Sequence, residues 1–134
     1  MIVVDASVAL AWCLADEADE YAERVLERVS REGAVAPAHW PMEVVNGLRS
    51  AERRGRLKPD ELPRLGRLVA DLGVQILPVE LTTALLALDT AREHDLSVYD
   101  AVYLDLALFR NVPLATLDDR LARACEQAGG ARAT

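Results

Sequence analysis

Hydrophobic positions along the chain form two patterns that alternate from the first residues onward. Short apolar runs predict buried strands at residues 2–4, 34–36, 74–77 and 114–115. Between these runs, apolar residues recur every three or four positions with charged residues in between, which is typical of amphipathic helices. These stripes predict helices over residues 7–14, 20–31, 42–54, 59–72, 82–93, 97–109 and 118–128.

This alternation predicts the α/β class. Strands that are joined through helices run parallel with right-handed crossovers. We therefore expect a three-layer sandwich in which helices flank a short central parallel sheet of four or five strands. Residues 129–134 have poor strand propensity, which argues against a fifth strand at this end. No repeat, low-complexity stretch or linker interrupts the pattern, so residues 1–134 are expected to form a single domain.

Composition and charge narrow the class of protein. The formal net charge of −7 argues against a protein that coats nucleic acid non-specifically, since such a surface would be basic. No apolar run approaches the roughly 20 residues of a membrane-spanning helix, and the early Asp5 does not fit a signal peptide. We therefore expect a cytoplasmic protein without a membrane partner. Cys13 and Cys125 lie far apart in helical patterns and are expected to be buried thiols.

Four acidic residues stand where the predicted strands end or the following helices begin. Asp5 follows the first strand directly, and Asp118 follows the fourth strand after two residues. Glu43 lies near the start of the helix after the second strand, and Asp100 lies in the first turn of the helix that Ser97 is expected to cap. Because ligands of parallel sheets bind beyond the carboxyl ends of the strands, all four acids are expected at one edge.

Each acid taken singly also has a simpler explanation. Asp5, Asp100 and Asp118 suit the first turns of helices as caps, and Glu43 suits a helix N-terminus through the helix dipole. Taken together, converging carboxylates repel one another unless a cation compensates their charge. Carboxylate oxygens suit Mg²⁺ or Mn²⁺, which can activate water and offset charge on a phosphodiester.

Four segments resemble, in order, the motifs of the PIN-domain family. Residues 2–7, Ile-Val-Val-Asp-Ala-Ser, are similar to a first motif of strand, aspartate and small hydroxyl residue. Residues 41–48 carry a glutamate and, about one turn later, an asparagine. Residues 97–107 resemble the Tyr-Asp-Ala helix start typical of VapC-like toxins, and residues 114–118 carry a Thr-x-Asp at a strand end. The motifs together span most of the chain.

The resemblance implies a PIN-like fold and a metal-dependent endoribonuclease, the toxin of a type II toxin–antitoxin pair. It implies that Asp5, Glu43, Asp100 and Asp118 form the catalytic site, with Mg²⁺ or Mn²⁺ as the cofactor. Asp5, Asp100 and Asp118 would be metal ligands. Glu43 would bind metal through water or help to deprotonate the attacking water. Asp119 is a rival to its neighbour, but the Thr-x-Asp pattern favours Asp118.

Further polar residues near these motifs are candidates for supporting roles. Hydrogen bonds commonly orient metal-binding carboxylates, and three residues are expected to supply them: Ser7, Asn46 and Thr116. Basic residues cluster near the end of the Glu43 helix, where they either complement the helix dipole or contact RNA phosphates. The RNA-backbone candidates are Arg49, Arg53 and Arg54, with Arg56 and Lys58 nearby.

The resemblance also implies protein partners. A cognate antitoxin would bind the chain, and an apolar groove would accept its helix. Candidates for the lining of that groove are Trp12, Trp40 and Val44, or else the first two helices. Members of the family commonly form homodimers, and apolar residues of the helix that starts near Val98 are candidates for the contact. His39 and His94 have no ligand-spaced partner and are interpreted as structural.

Other interpretations of an α/β chain with acids at strand ends compete with this one. A phosphoacceptor signalling domain usually carries adjacent acids after the first strand and a lysine after a late strand, whereas Lys58 lies in mid-chain. A haloacid-dehalogenase phosphatase would place a second aspartate at position 7, where Ser7 stands. A PIN fold that only binds a partner, and a housekeeping RNA-processing nuclease without an antitoxin, both remain open.

Overall fold

The computed structural model describes residues 1–134, and its elements follow the predicted alternation of strands and helices. In chain order they are β1 Ile2–Val4, α1 Ala6–Cys13, α2 Glu20–Glu32, β2 Ala34–Pro37, α3 Trp40–Arg53, α4 Leu62–Asp71, β3 Gln75–Leu77, α5 Leu81–His94, α6 Val98–Arg110, β4 Leu114–Ala115 and α7 Asp119–Gln127. Two short 3₁₀ turns, Ala15–Glu17 and Pro59–Glu61, precede α2 and α4.

The four strands form one parallel sheet in the order β3-β2-β1-β4. The chain moves outward from β1 to β2 and β3, then returns across the sheet to place β4 on the other side of β1. The crevice between the carboxyl ends of β1 and β4 is therefore the point where the direction of winding reverses, which is where such sheets bind ligands. The predicted α/β class is confirmed.

The helices form two layers around the sheet. On one face α1 contacts α2, α3 and α4, and on the other face α6 contacts α5 and α7. Central strand β1 is fully buried between them. Helices α1 and α3 approach closely at Gly47, where a Cβ atom would overlap the side chain of Leu10.

Two helix starts differ from the predicted ones. Helix α3 begins at Trp40, before the predicted residue 42, because Pro41 is tolerated in a first helical turn. Pro59 opens a 3₁₀ turn instead of the helix, which begins at Leu62. No helix is long and apolar enough to cross a membrane.

The C-terminal tail joins the sheet although its sequence argued against a fifth strand. The Leu114 backbone N–H donates to the carbonyl of Ala131 (2.9 Å), and the Ala133 N–H donates to the carbonyl of Leu114 (2.8 Å). These bonds make one isolated parallel bridge between Leu114 and Arg132. The Ala133 side chain is fully buried. The tail is therefore an edge of the sheet one residue long, and tertiary contacts compensate for its poor strand propensity.

Candidate active site at the carboxyl edge of the sheet

Asp5 stands at the end of β1 with its carboxylate buried and hydrogen-bonded on both oxygens. Oδ1 accepts from Ser7 Oγ (2.6 Å) and from the Val8 backbone N–H (3.2 Å), while Oδ2 accepts from Thr116 Oγ1. The bond from Val8 makes Asp5 the N-cap of α1, so the capping role and a place in an acidic site coincide. Three donors use most of the roughly four lone-pair positions of a carboxylate.

Ser7 and Thr116 connect the ends of β1 and β4 around this carboxylate. Ser7 Oγ accepts from the Leu117 N–H (2.9 Å), and Thr116 Oγ1 accepts from the Asp118 N–H (3.0 Å). Each hydroxyl therefore donates to Asp5 and accepts from the segment that follows β4. This arrangement ties the position of Asp118 to that of Asp5 through two hydroxyl groups.

Burial outweighs these hydrogen bonds in the electrostatics of Asp5. Removal from water raises the pKa of Asp5 to about 6 from 3.8, and the bonds from Ser7 and Thr116 oppose the shift. The negative charge of Asp100 raises it further. A carboxyl group whose pKa is raised by burial and by a neighbouring charge is a candidate for a functional site.

Asp100 and Asp118 face this edge from the starts of α6 and α7. Asp118 caps α7, with Oδ1 accepting from the N–H groups of Arg120 (2.8 Å) and Leu121 (3.2 Å). The Asp100 N–H donates to Ser97 Oγ (3.1 Å), but its carboxylate accepts no hydrogen bond. Burial raises the pKa of Asp100, and repulsion from Asp118 and Glu43 raises it further. The structure thus places Asp5, Glu43 and Asp118 each within electrostatic range of Asp100.

Glu43 is held in the first turn of α3 by groups that the sequence did not indicate. Its Oε1 accepts from the Tyr103 hydroxyl (2.7 Å) and lies 3.6 Å from His39 Nε2. His39 Nε2 also donates to the carbonyl of Tyr99 (3.1 Å), and its ring packs edge-on against those of Tyr99 and Tyr103. His39, interpreted from the sequence as structural, also lowers the pKa of Asp100 and so lies within electrostatic range of the site.

A signal for both residues was present in the sequence. His39 precedes Glu43 by four positions, and Tyr103 follows Asp100 by three, so each lies on the same helical face as its acid. The Tyr103–Glu43 bond joins residues 60 positions apart, however, and no local pattern predicts that pairing.

This geometry agrees with comparisons with known proteins. A family model described as the PIN domain matches residues 2–127, which is nearly the whole chain. The chain belongs to the PIN domain family. The match includes all four acids, so this PIN domain carries its acidic edge within the region that defines the family.

This PIN domain is similar in sequence to a ribonuclease and in structure to two further proteins. Ribonuclease VapC3 of Mycobacterium tuberculosis is 33% identical over 123 residues, which cover 92% of this chain and 86% of the relative. The crystal structure of PAE2754 from Pyrobaculum aerophilum superposes with a TM-score of 0.74 at 23% identity, covering 98% of this chain and 82% of that one. A chain of a toxin–antitoxin complex from Klebsiella pneumoniae gives 0.59 at 14% identity, covering 88% and 87%.

The acidic edge offers oxygen donors for a hard divalent cation. Asp100 accepts no hydrogen bond on its carboxylate, and Glu43 and Asp118 each have one oxygen that accepts none. No group of three or more side chains is gathered tightly enough to form a ready-made metal cluster. The donor set fits Mg²⁺ or Mn²⁺, ions that keep several waters and need few protein ligands. A bound cation would also relieve the repulsion at Asp100.

The remaining predicted residues lie outside this hydrogen-bond network. Asn46 is exposed and forms no hydrogen bond, so no contact in the structure supports its expected role in orienting the carboxylates. Arg49 is paired with Glu52 on its own helix. Arg53 and Arg54 are exposed and form no ion pair. Nearby, Arg56 forms a bidentate salt bridge with Asp16 (2.8 and 3.0 Å). Lys58 is exposed.

Proposed function

We propose that this PIN domain is a metal-dependent endoribonuclease, the toxin of a toxin–antitoxin pair, which hydrolyses RNA phosphodiester bonds. The observation that carries the proposal is the placement of Asp5, Glu43 and Asp118 within electrostatic range of Asp100, with the pKa of Asp5 raised to about 6. The name of the Mycobacterium tuberculosis relative, a ribonuclease, supports the same reaction class.

In this proposal Asp5, Asp100 and Asp118 hold Mg²⁺ or Mn²⁺. The cation would supply a charge that stabilises the phosphodiester transition state and would lower the pKa of a water bound to it. Asp5 contributes a carboxylate in a fixed orientation, because Ser7 and Thr116 restrain both of its oxygens. Asp100 contributes two oxygens that form no hydrogen bond with the protein.

Glu43 is the residue proposed to align the attacking water and accept its proton. One of its oxygens is held by the Tyr103 hydroxyl, while the other accepts no hydrogen bond in the protein. His39 lies beside it and contributes positive charge when protonated. A carboxylate held at one oxygen and free at the other can orient a water without losing its own position.

RNA has to approach a chain of net charge −7, so local cations must guide it. Arg53 and Arg54 at the end of α3 are exposed and unpaired, and they remain the proposed contacts to RNA phosphates. Arg49 is a weaker candidate, since its pairing with Glu52 would have to be exchanged for a phosphate.

An antitoxin is the proposed protein partner. A groove of about 250 Å³ lies between α3 and α4, lined among others by Trp40, Val44 and Val45. Trp12 lies elsewhere, with its indole N–H donating to the Ala22 carbonyl (2.8 Å). An amphipathic antitoxin helix with apolar side chains at helical spacing would suit the groove. The complex from Klebsiella pneumoniae, which is named a toxin–antitoxin complex, supports an antitoxin as the partner.

A homodimer is proposed through the exposed apolar ends of α5 and α6. Phe109 is 88% exposed, and Leu81 and Leu86 are 76% and 71% exposed, and exposed apolar side chains of this size support a protein contact surface. Phe109 and Leu86 border a groove of about 330 Å³. Sedimentation of the Phe109→Asp variant beside wild type tests this face, and an unchanged dimer would exclude it.

Cleavage of a mixed cellular RNA pool by purified protein is the experiment that tests the activity. Reactions contain Mg²⁺, Mn²⁺ or EDTA, beside the Asp5→Asn variant. We expect cutting that needs a divalent ion and that the variant lacks. No cutting with either ion, by folded protein free of copurified partner, would favour a PIN-fold module that only binds a partner. Cutting by a protein that no antitoxin inhibits would favour a housekeeping nuclease.

A further inference from the structure

An arginine of the C-terminal tail, Arg132, contacts the segment that follows β4 at the acidic edge. Arg132 donates from Nη2 to the carbonyl of Thr116 (3.0 Å), and its guanidinium carbon lies 4.4 Å from the centre of the Tyr21 ring. Its backbone position is fixed by the parallel bridge to Leu114. The side chain therefore extends from the edge of the sheet to the residue that follows β4.

The environment of Arg132 is enclosed and specific. Its Nε and the Tyr21 hydroxyl are both buried without a hydrogen-bond partner in the protein. Burial raises the pKa of Tyr21, and the adjacent Arg132 and the backbone of Thr116 oppose that shift. A planar guanidinium can stack on an aromatic ring and donate in its own plane at the same time, which a lysine cannot reproduce.

Thr116 is the residue that relays this contact to the site. Its carbonyl accepts from Arg132, while its hydroxyl donates to Asp5 and accepts from the Asp118 N–H. Thr116 is fully buried, so a displacement of its backbone cannot be absorbed by movement into solvent. One residue thus connects the C-terminal tail with two of the four acids.

We propose that Arg132 is a positioning residue for the acidic site, which it serves by holding Thr116 in the orientation that fixes Asp5 and Asp118. This proposal rests on the proposed function for its effect on catalysis, but its structural part does not. Arg132 would then have two roles. Its backbone pairs with β4, and its side chain helps to position the acidic site.

The structural part is tested by nuclear magnetic resonance on the full-length, metal-free protein. The Val8 and Asp118 amides report on the network, since they donate to Asp5 and to the Thr116 hydroxyl. We expect Arg132→Met to shift both amide signals, while the exposed Arg123→Met control leaves them unchanged. Unchanged Val8 and Asp118 signals in folded Arg132→Met protein would overturn the proposal, whatever the activity of the wild type.

The catalytic part is tested by Mn²⁺ titration calorimetry and by cleavage kinetics on the same variants. Loss of a residue that orients ligands typically costs roughly 10–100-fold in metal affinity or activity. We expect Arg132→Met to weaken Mn²⁺ binding and to lower kcat in that range, with KM for RNA unchanged. If only the melting temperature falls while Mn²⁺ affinity and kcat match the Arg123→Met control, Arg132 is merely structural and the proposal fails.

A second variant keeps the test decisive should Arg132→Met not fold. Arg132→Lys keeps the charge and the stem of the side chain but loses the planar stacking on Tyr21. We expect weaker Mn²⁺ binding than in the wild type, together with shifted Val8 and Asp118 signals. Wild-type signals and affinity in Arg132→Lys would contradict the requirement for the guanidinium.

Discussion

Asp5 and Asp100 are two carboxylates of one site held in opposite ways. Three donors restrain Asp5, which is buried at the end of β1. Asp100 is half-buried, its carboxylate accepts no hydrogen bond, and Asp118 and Glu43 repel it. Both pKa values are raised, but Asp5 is raised first by burial against its hydrogen bonds, while Asp100 combines burial with repulsion. The fold alone therefore fixes the carboxylate of Asp5, whereas a bound cation would be needed to fix that of Asp100.

The largest expected effect comes from removing either charge. Asp5→Asn and Asp100→Asn should each lower RNA cleavage by more than the roughly 10–100-fold typical of a residue that only orients a ligand. Both should remain folded, because the amide keeps the shape of the side chain. Cleavage rates under saturating Mn²⁺, with circular dichroism as the control, test this. A wild-type rate in either variant would show that the site is wrongly assigned.

The raised pKa of Asp5 should make the stability of the protein depend on pH. Because the folded pKa of Asp5 is raised to about 6 from 3.8, its contribution to the free energy of unfolding is complete below about pH 4. That contribution is lost as the pH rises through about 6. At 1.36 kcal/mol per pH unit the loss approaches about 3 kcal/mol, as an order of magnitude.

Urea unfolding of metal-free protein, wild type beside Asp5→Asn, measures this contribution over the same pH range. As the pH rises, the wild type should lose unfolding free energy relative to Asp5→Asn. Added Mn²⁺ should reverse that trend. A difference that does not vary with pH would show that Asp5 titrates normally.

A smaller effect is expected from the hydroxyl that restrains Asp5. Thr116→Val removes the donor to Asp5 and the acceptor of the Asp118 N–H, leaving buried polar groups unpaired at a cost of about 1–3 kcal/mol. Activity should also fall roughly 10–100-fold.

A second threonine–aspartate pair provides the matched control for that variant. Thr90 donates to Asp105 (2.7 Å) between α5 and α6, away from the acidic edge. Thr90→Val should lower stability but leave cleavage intact. Equal losses of activity in Thr90→Val and Thr116→Val would mean that unfolding, and not positioning, explains both.

The smallest effect is expected at Glu43. Tyr103→Phe removes one donor from a carboxylate that is partly exposed, so the loss should be about 1 kcal/mol and less than about tenfold in kcat. Tyr99→Phe is the control, since that side chain is largely exposed and the variant keeps both the ring beside His39 and the carbonyl that accepts from it. Equal kcat in Tyr103→Phe and wild type would exclude a role for this bond in catalysis.

Much of the site was predictable because its residues follow local signals. Strand ends and helix caps are defined by a few neighbouring residues, so the positions of Asp5, Asp100 and Asp118 at helix starts could be predicted. The structure shows that capping and convergence are not alternatives, since Asp5 and Asp118 do both. Asn46 illustrates the limit, because a motif position does not determine whether an exposed side chain finds a partner.

The sequence by itself determined the order of elements and the α/β class, and it indicated four candidate acids, because hydrophobic period and capping are local properties. Tertiary structure decided which distant groups meet: Tyr103 with Glu43, Thr116 with Asp5, and Arg132 with Thr116. It also paired a tail of poor strand propensity with β4. The physical reason is that hydrogen bonds between residues 16 to 111 positions apart depend on how the layers pack, which no short segment encodes.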